Sequence, residues 1–392
     1  MQLSAETIQF IKAHAKEDVR TLALQAGKFP TVDMAEAVVQ IAGRQMAEAK
    51  LPTWAQNEDV WYPRHLSMEQ CSSEVTALYK ASLVKGDSLV DLTGGLGIDC
   101  SYMAQSFVRA DYVERQEVLC ELALHNFKVL GRKHIQVHHQ DGVAYLQQMA
   151  PVDCIFLDPA RRDGHGGKTV AISDCEPNVE ELEPVLISKA KQVWVKLSPM
   201  LDLTLALRAL SSVQEVHIVS VNNECKELLL LLQKEGEGPV RVHCEHITSQ
   251  KVHQHDVFTF QEEKETVAKF TSSVGHFLYE PNASLLKAGA YKLLTQRYPV
   301  QKLHVSSHLY TSDERVDDFP GRIFEVLTCS GFGKKELRTA LQGVDKANLT
   351  IRNFPSSVAD LRKRLKIKEG GDIYLFATTL SDEQKVLIKC KK

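Results

Sequence analysis

The chain has 392 residues, 44% of them hydrophobic and 25% charged, with a formal net charge of −3. That is room for two or three domains. It excludes an unfolded polar chain and, taken whole, a polycation. The longest apolar run, Leu228 to Leu232, is too short to span a bilayer, and the first residues carry no basic stretch with an apolar core. The nine cysteines include no Cys-x-x-Cys pair. A reduced, cytoplasmic protein without structural zinc is expected.

Residues 5 to 50 read as helix. Phe10, Ile11, Ala13 and Val19 share a period near 3.6, as do Ala35, Val38, Val39 and Ile41. Pro30 should separate two helices, with Thr31 or Asp33 as a cap. Pro52-Thr-Trp54 and Trp61-Tyr-Pro63 mark the exit, and the tryptophans should pack this N-terminal helical cap, residues 1–63, on the rest.

From residue 64 strands alternate with helices, the pattern of a parallel sheet in an α/β fold. Strands are expected at 88–91, 110–114, 134–138, 153–157, 192–197 and 215–220. A last strand at 228–232 should be antiparallel, at or near the sheet edge, and 239–261 should form a β-ribbon. Between the first two strands lie Gly94, Gly95 and Gly97, then a helix-compatible stretch from Ile98 to Val108. Glycines let a backbone approach a ligand closely. Four strands end in acids: Asp91, Glu114, Asp141 and Asp158. Ligands of open α/β sheets bind outside those strand ends.

The ligand follows by elimination. A triphosphate loop needs Gly-Lys-Ser/Thr, but Ile98 and Asp99 follow Gly97. A dinucleotide loop wants a third glycine where Cys100 stands. An acidic strand end suits a cation, and the sulfonium cofactor S-adenosylmethionine fits. Asp91, Thr93, Gly94, Gly95 and Gly97 would hold it, Glu114 accepting from the ribose hydroxyls and Asp141 from the adenine amine. A nicotinamide-dependent oxidoreductase is the weaker reading.

Asp91-Leu-Thr-Gly-Gly-Leu-Gly, Glu114, Asp141 and Asp158-Pro-Ala-Arg resemble the successive motifs of class I S-adenosylmethionine-dependent methyltransferases. The flanking phrases Leu66-Ser-Met-Glu-Gln-Cys-Ser-Ser-Glu74, Tyr279-Glu-Pro-Asn-Ala283, Arg352-Asn-Phe-Pro355 and Gly370-Gly-Asp-Ile-Tyr-Leu-Phe376 are similar to those of a bacterial group with a C-terminal THUMP-like domain. The resemblance implies a Rossmann-like methyltransferase sheet over residues 64–275, a THUMP-like α+β domain of ferredoxin-like order over 276–392, and an RNA-like substrate.

Asp158 is the candidate catalytic residue, since a carboxylate beside the donor can orient an acceptor N–H or take up its proton. Pro159, Ala160, Arg161 and Arg162 would meet the acceptor. Base-stacking enzymes carry a second proline and an aromatic where Ala160 and Arg161 stand. Lys196 and Ser198 would flank the site, unless they are only a loop edge. No cysteine follows that strand, so carbon methylation through a covalent adduct is disfavoured, and transfer to nitrogen or oxygen fits better. Gly164, Gly166 and Gly167, with His165 and Lys168, suggest a lid or a plain surface loop. No His-Glu-x-x-His spacing calls for a catalytic metal.

Residues 281–392 carry 20 Lys and Arg against 12 Asp and Glu, a balance of +8, leaving −11 on the remainder. A helix over about 356–367 would carry Arg362, Lys363, Arg364, Lys366 and Lys368 and present them to the phosphates of tRNA or rRNA. An RNA-binding protein without turnover, and a methyltransferase of proteins or small molecules, are the alternatives.

Overall fold

The first helices start at side-chain oxygens. Ser4 accepts from the Thr7 amide at 3.1 Å before α1 (Ala5–Ala13), Asp18 from Thr21 at 2.8 Å before α2 (Val19–Leu24), and Asp33 from Glu36 at 3.1 Å before α3 (Met34–Lys50). A single helix was expected before Pro30; the Asp18 cap restarts the chain and gives two. The computed structural model describes residues 3–63, 65–161, 172–234, 236, 238–248 and 253–392. Pro52 opens α4 (Pro52–Ala55), and α5 (His65–Gln70) and α6 (Glu74–Ser82) follow. Phe10, Ile11, Leu22, Met34 and Ile41 form one apolar cluster. Leu51, Trp54 and Tyr62 join Ile98, Tyr102, Leu119 and Leu122 in another. Trp54 therefore packs the N-terminal helices on the helices beside the sheet, as expected, and Trp61 stacks on His125 at 3.6 Å between ring centroids.

The chain forms two compact units, one comprising Met1–Glu215 with Leu228–Gly238, the other Val216–Glu227 with Pro239–Lys392. The sheet of the first unit starts with β1 (Gly86–Asp91), then α7 (Ile98–Met103), β2 (Phe107–Glu114), α8 (Glu117–Val129), β3 (Ile135–His139), α9 (Gly142–Gln148) and β4 (Val152–Leu157). The short strands β5 (Ala160–Arg161) and β6 (Cys175–Glu176) pair with each other. Next come α10 (Val179–Lys189), β7 (Ala190–Leu197), α11 (Leu203–Ala209), β8 (Val213–Val221) and β9 (Glu224–Leu232). The stretch expected to be helical through Val108 stops at Met103. Phe107 onward pairs with β1 instead, so the tertiary ladder overrides the local pattern.

The parallel strands run in the order β3-β2-β1-β4-β7. The run Cys154 to Leu157 is wholly buried, as a strand covered on both faces must be. From β1 the chain winds outward to β2 and β3, then returns to β4 on the opposite side. The switch in winding therefore falls between β1 and β4, the position where such sheets bind ligands. β9 is antiparallel to β7, with Val193 opposite Leu232. It is not at the edge, because β8 takes its other side. Asn222 and Asn223, both at positive φ (50° and 64°), make the tight turn between β8 and β9.

In the second unit β10 (Arg241–Ile247) and β11 (His253–Thr259) form the antiparallel ribbon, followed by α12 (Phe260–Glu265). A seven-stranded sheet has the order β13-β14-β12-β15-β18-β17-β16. Its strands are β12 (Phe277–Pro281), β13 (Gln301–Lys302), β14 (Tyr310–Ser312), β15 (Gly321–Ser330), β16 (Asn348–Arg352), β17 (Ile373–Thr379) and β18 (Lys385–Lys391). Helices α13 (Ala283–Ala288), α14 (Leu294–Arg297), α15 (Lys334–Ala340) and α16 (Val358–Leu365) complete it. Among the described residues no helix is long and apolar enough to cross a membrane.

Candidate active site

The Asp91 carboxylate, 1% exposed, accepts from the Thr93 amide at 3.0 Å. Thr93 Oγ1 in turn accepts from the Asp158 amide at 2.6 Å, which ties the loop after β1 to the loop after β4 across the switch point. The Gly94 amide donates to the Val113 carbonyl on β2 at 2.9 Å. Gly95 donates to Glu114 Oε2 at 2.9 Å, and the other Glu114 oxygen accepts from Gln116 at 2.8 Å. Asp91, Glu114 and Asp158 thus converge on one crevice at the strand ends.

The glycines divide by role. A Cβ at Gly94 would run into the Tyr112 ring, and one at Gly97, at φ +73°, would meet Phe127 at 2.7 Å. Both let the loop pack on β2 and α8. Gly95, at φ +53°, would place a Cβ no nearer than 3.8 Å to any atom, so its open side can accept a ligand. Tyr112 is fully buried and cannot yield. Gly94→Ala is therefore expected to cost about 1–3 kcal/mol, read as a lower urea midpoint at unchanged slope.

Burial pushes the Asp91 carboxyl up to about 8; the Thr93 amide opposes this, while Asp99, Asp158 and Glu114 add to it. A buried acid among other acids is short of positive charge. Asp141 precedes Gly142, where a Cβ would run into the Leu92 carbonyl of the loop after β1. Asp141 is exposed, and its Oδ1 caps α9 by accepting from Val143 and Ala144, both at 3.0 Å.

At the far side of the crevice Lys196 Nζ lies 2.5 Å from Asp158 Oδ2 and 3.6 Å from Asp99 Oδ2. It also donates to Ser72 at 3.1 Å. Ser72 donates to Asp99 at 2.7 Å, and the buried Lys80 lies 3.2 Å from Asp99 Oδ1. Burial works against the Asp99 carboxylate, but Lys80 and Lys196 together hold it below its ordinary range. Sequence reasoning named Lys196 and Asp158 but missed Ser72, Lys80 and Asp99. The signal was a lysine on the apolar face of α6, one turn after the buried Ala77.

Of the other expected residues, Pro159 is buried and Ala160 exposed, and the Arg161 backbone pairs with Cys175. The Arg161 side chain, Arg162 and the expected lid at Gly164–Lys168 lie outside the described residues. Ser198 caps the turn after β7, accepting from Met200 at 3.3 Å. The basic cluster belongs to the second unit and is not one helical face. α16 ends at Leu365, Lys366 adopts the left-handed conformation (φ 56°) and Lys368 lies beyond it. Arg362, half-buried, donates to the Ala347 carbonyl at 3.3 Å and the exposed Arg364 to the Phe332 carbonyl at 3.2 Å, and Lys363 and Lys366 are exposed as well.

The family model for protein-L-isoaspartate(D-aspartate) O-methyltransferases matches residues 6–163, a ferredoxin-like domain model 277–320, and a THUMP domain-like model 321–392. A crystal structure from Porphyromonas gingivalis W83, assigned as a methyltransferase, is 34% identical over the whole of both chains, with a TM-score of 0.88. Uncharacterized S-adenosylmethionine-dependent methyltransferases from two strains of Mycobacterium tuberculosis are 22% identical over 333 residues, 83% of this chain and 87% of theirs. The acid-lined crevice with its glycine cradle fits a cationic donor. The chain belongs to the class I S-adenosylmethionine-dependent methyltransferases that carry a C-terminal THUMP-like domain.

Proposed function

We propose that this methyltransferase modifies a nitrogen, or less readily an oxygen, of an RNA nucleotide in the cytoplasm. The observation carrying the RNA reading is the THUMP domain-like match over 321–392, in the part of the chain with the positive balance. In this reading residues 1–63 cap the catalytic region 64–275, and 276–392 grips tRNA or rRNA through Lys363, Arg364 and Lys366, with Arg362 behind them. Charge reversal at Lys363 and Lys366 is then expected to weaken RNA binding and lower its salt slope by about 2, measured by filter binding across a salt series.

When bound, S-adenosylmethionine supplies an electrophilic methyl group on a cationic sulfur. Asp91, Thr93, Gly94, Gly95 and Gly97 are the residues to hold it, with Glu114 and Asp141 toward its nucleoside end. Asp158 directs one oxygen to Lys196 and leaves the other for the acceptor. A nitrogen acceptor gains positive charge as its new bond forms, and a carboxylate in contact stabilises that charge and takes the proton. Lys196 and Ser72 keep Asp158 oriented. Pro159, Ala160, Arg161, Arg162 and Ser198 would frame the acceptor.

Asp91 adds a pH dependence. Its carboxyl is raised in the folded protein, so ionising it destabilises the fold as pH rises from about 4 toward 8. A cationic ligand favours the ionised form. Donor binding should therefore tighten by roughly tens of fold between pH 6 and 8. Calorimetry in two buffers should show proton release, and Asp91→Asn should remove the pH-dependent part.

The isoaspartyl model match over 6–163 favours a second acceptor, a protein carboxylate. Radiolabelled donor added to RNA and to protein from cells lacking the enzyme separates the two. Label in RNA, followed by nucleoside mass spectrometry, is the expected result. Label in protein alone would overturn the RNA reading.

A further inference from the structure

The second unit carries a histidine-rich face that the methyl-transfer site does not use. β10 reads His243-Cys-Glu245 and β11 reads His253-Gln-His255. Alternate residues of a strand share a face, so each pair projects to one side. The antiparallel register sets Glu245 opposite His255 and Ile247 opposite His253, which brings both pairs onto the same face. His253 Nε2 lies 2.5 Å from one Glu245 oxygen and His255 Nε2 3.5 Å from the other. The ligand atoms of His243, Glu245 and His255 all lie within 4.8 Å of one another. His217 on β8 stacks on His243 at 4.2 Å, with the planes 3° apart, and fixes that ring.

We infer that His243, Glu245 and His255, with His253 as a fourth donor, form a binding site for a divalent transition-metal ion, zinc foremost. The donors are imidazole nitrogen and carboxylate oxygen, the set zinc takes without thiolate. Ligand atoms around a tetrahedral zinc stand about 3.4 Å apart, so shifts of about an ångström or two bring the His243, Glu245 and His255 atoms together, and His253, already on Glu245, swings in as the fourth donor. The Glu245 carboxylate is 2% exposed, while the His253 and His255 side chains are 44% and 46% exposed. A buried carboxylate is thus covered by imidazole donors reachable from solvent, which gives an ion both charge balance and a way in. The familiar helical spacing of two histidines is absent from the sequence. Here strand pairing brings the donors together instead.

The test is calorimetric titration of the tag-free full chain with zinc chloride after chelator treatment and dialysis. Elemental analysis of the protein and the visible spectrum of a cobalt(II) substitute accompany it. One equivalent of zinc per chain is expected, with tetrahedral cobalt bands. His255→Ala and Glu245→Gln should each weaken zinc at least about 100-fold, and His253→Ala about 10–100-fold. The exposed His255→Ala and His253→Ala variants should keep the wild-type far-ultraviolet spectrum, so lost binding there is not lost folding. No saturable uptake by the wild type, or uptake unchanged in those two variants, would overturn the site and leave Glu245 partnered by the two histidines alone.

Discussion

Asp158→Ala is expected to lower kcat by about 10²–10⁴-fold while donor binding persists, because the side chain works on the acceptor and not on the cofactor. Its backbone amide, which Thr93 holds at 2.6 Å, survives the substitution, so the loop should stay in place. Alanine also strips Lys196 of its 2.5 Å partner, but Asp99 and Ser72 remain to hold the ammonium. Asp158→Asn sharpens the result. It keeps an oxygen for Lys196, removes the negative charge and puts an NH2 donor where the second oxygen stood. If charge stabilisation at the attacking nitrogen matters, the asparagine variant loses nearly as much turnover as alanine. Single-turnover kinetics with saturating donor, beside calorimetry of donor binding, read the two effects separately. Normal turnover in either variant would remove Asp158 from the chemistry.

Lys80→Met is expected to destabilise the first unit by about 3–5 kcal/mol, the cost of breaking a buried ion pair by removing one partner. At this unit size that corresponds to a fall in Tm on the order of 10 °C. Lys80 is 2% exposed and lies 3.2 Å from Asp99, whose other oxygen accepts from Ser72 and lies 3.6 Å from Lys196. Methionine fills similar space without charge, so the loss is electrostatic. The sign with pH is fixed by Asp99. Its carboxyl is held below the usual value of 3.8, so its contribution is complete above that pH and fades as pH falls through the folded-state value. The variant should accordingly lose less stability on acidification than the wild type. Differential scanning calorimetry from pH 7 down to 3 measures both effects. A Tm within a degree or two of the wild type would show that Asp99 needs only Lys196.

Asp91, Glu114 and Asp158 were readable because each follows a short apolar run directly, and such runs become buried parallel strands. Gly94 and Gly97 have a packing role that the sequence did not show. They make room for Tyr112 and Phe127, and only Gly95 leaves open space. Asp99 was seen merely as a residue unfit for a phosphate loop. Its partners are Ser72, between α5 and α6, and Lys80, on α6, and no local pattern reports a meeting 27 or 19 residues away. The end of α7 and the interior place of β9 were set by strand pairing, which propensity does not see. The cations after Arg362 looked like one helix, but the left-handed Lys366 ends it. The search for a His-Glu-x-x-His spacing reads helices alone, whereas the histidines of β10 and β11 repeat with the period of a strand.

The central claim is that the acids at the tips of β1, β2 and β4 cup the cationic donor. A crystal structure of the full chain grown with S-adenosylmethionine tests it most directly. The account predicts the donor at the open side of Gly95, with its charged end near Asp91 and its ribose hydroxyls on Glu114. A donor bound in contact with neither Asp91 nor Glu114 would contradict it.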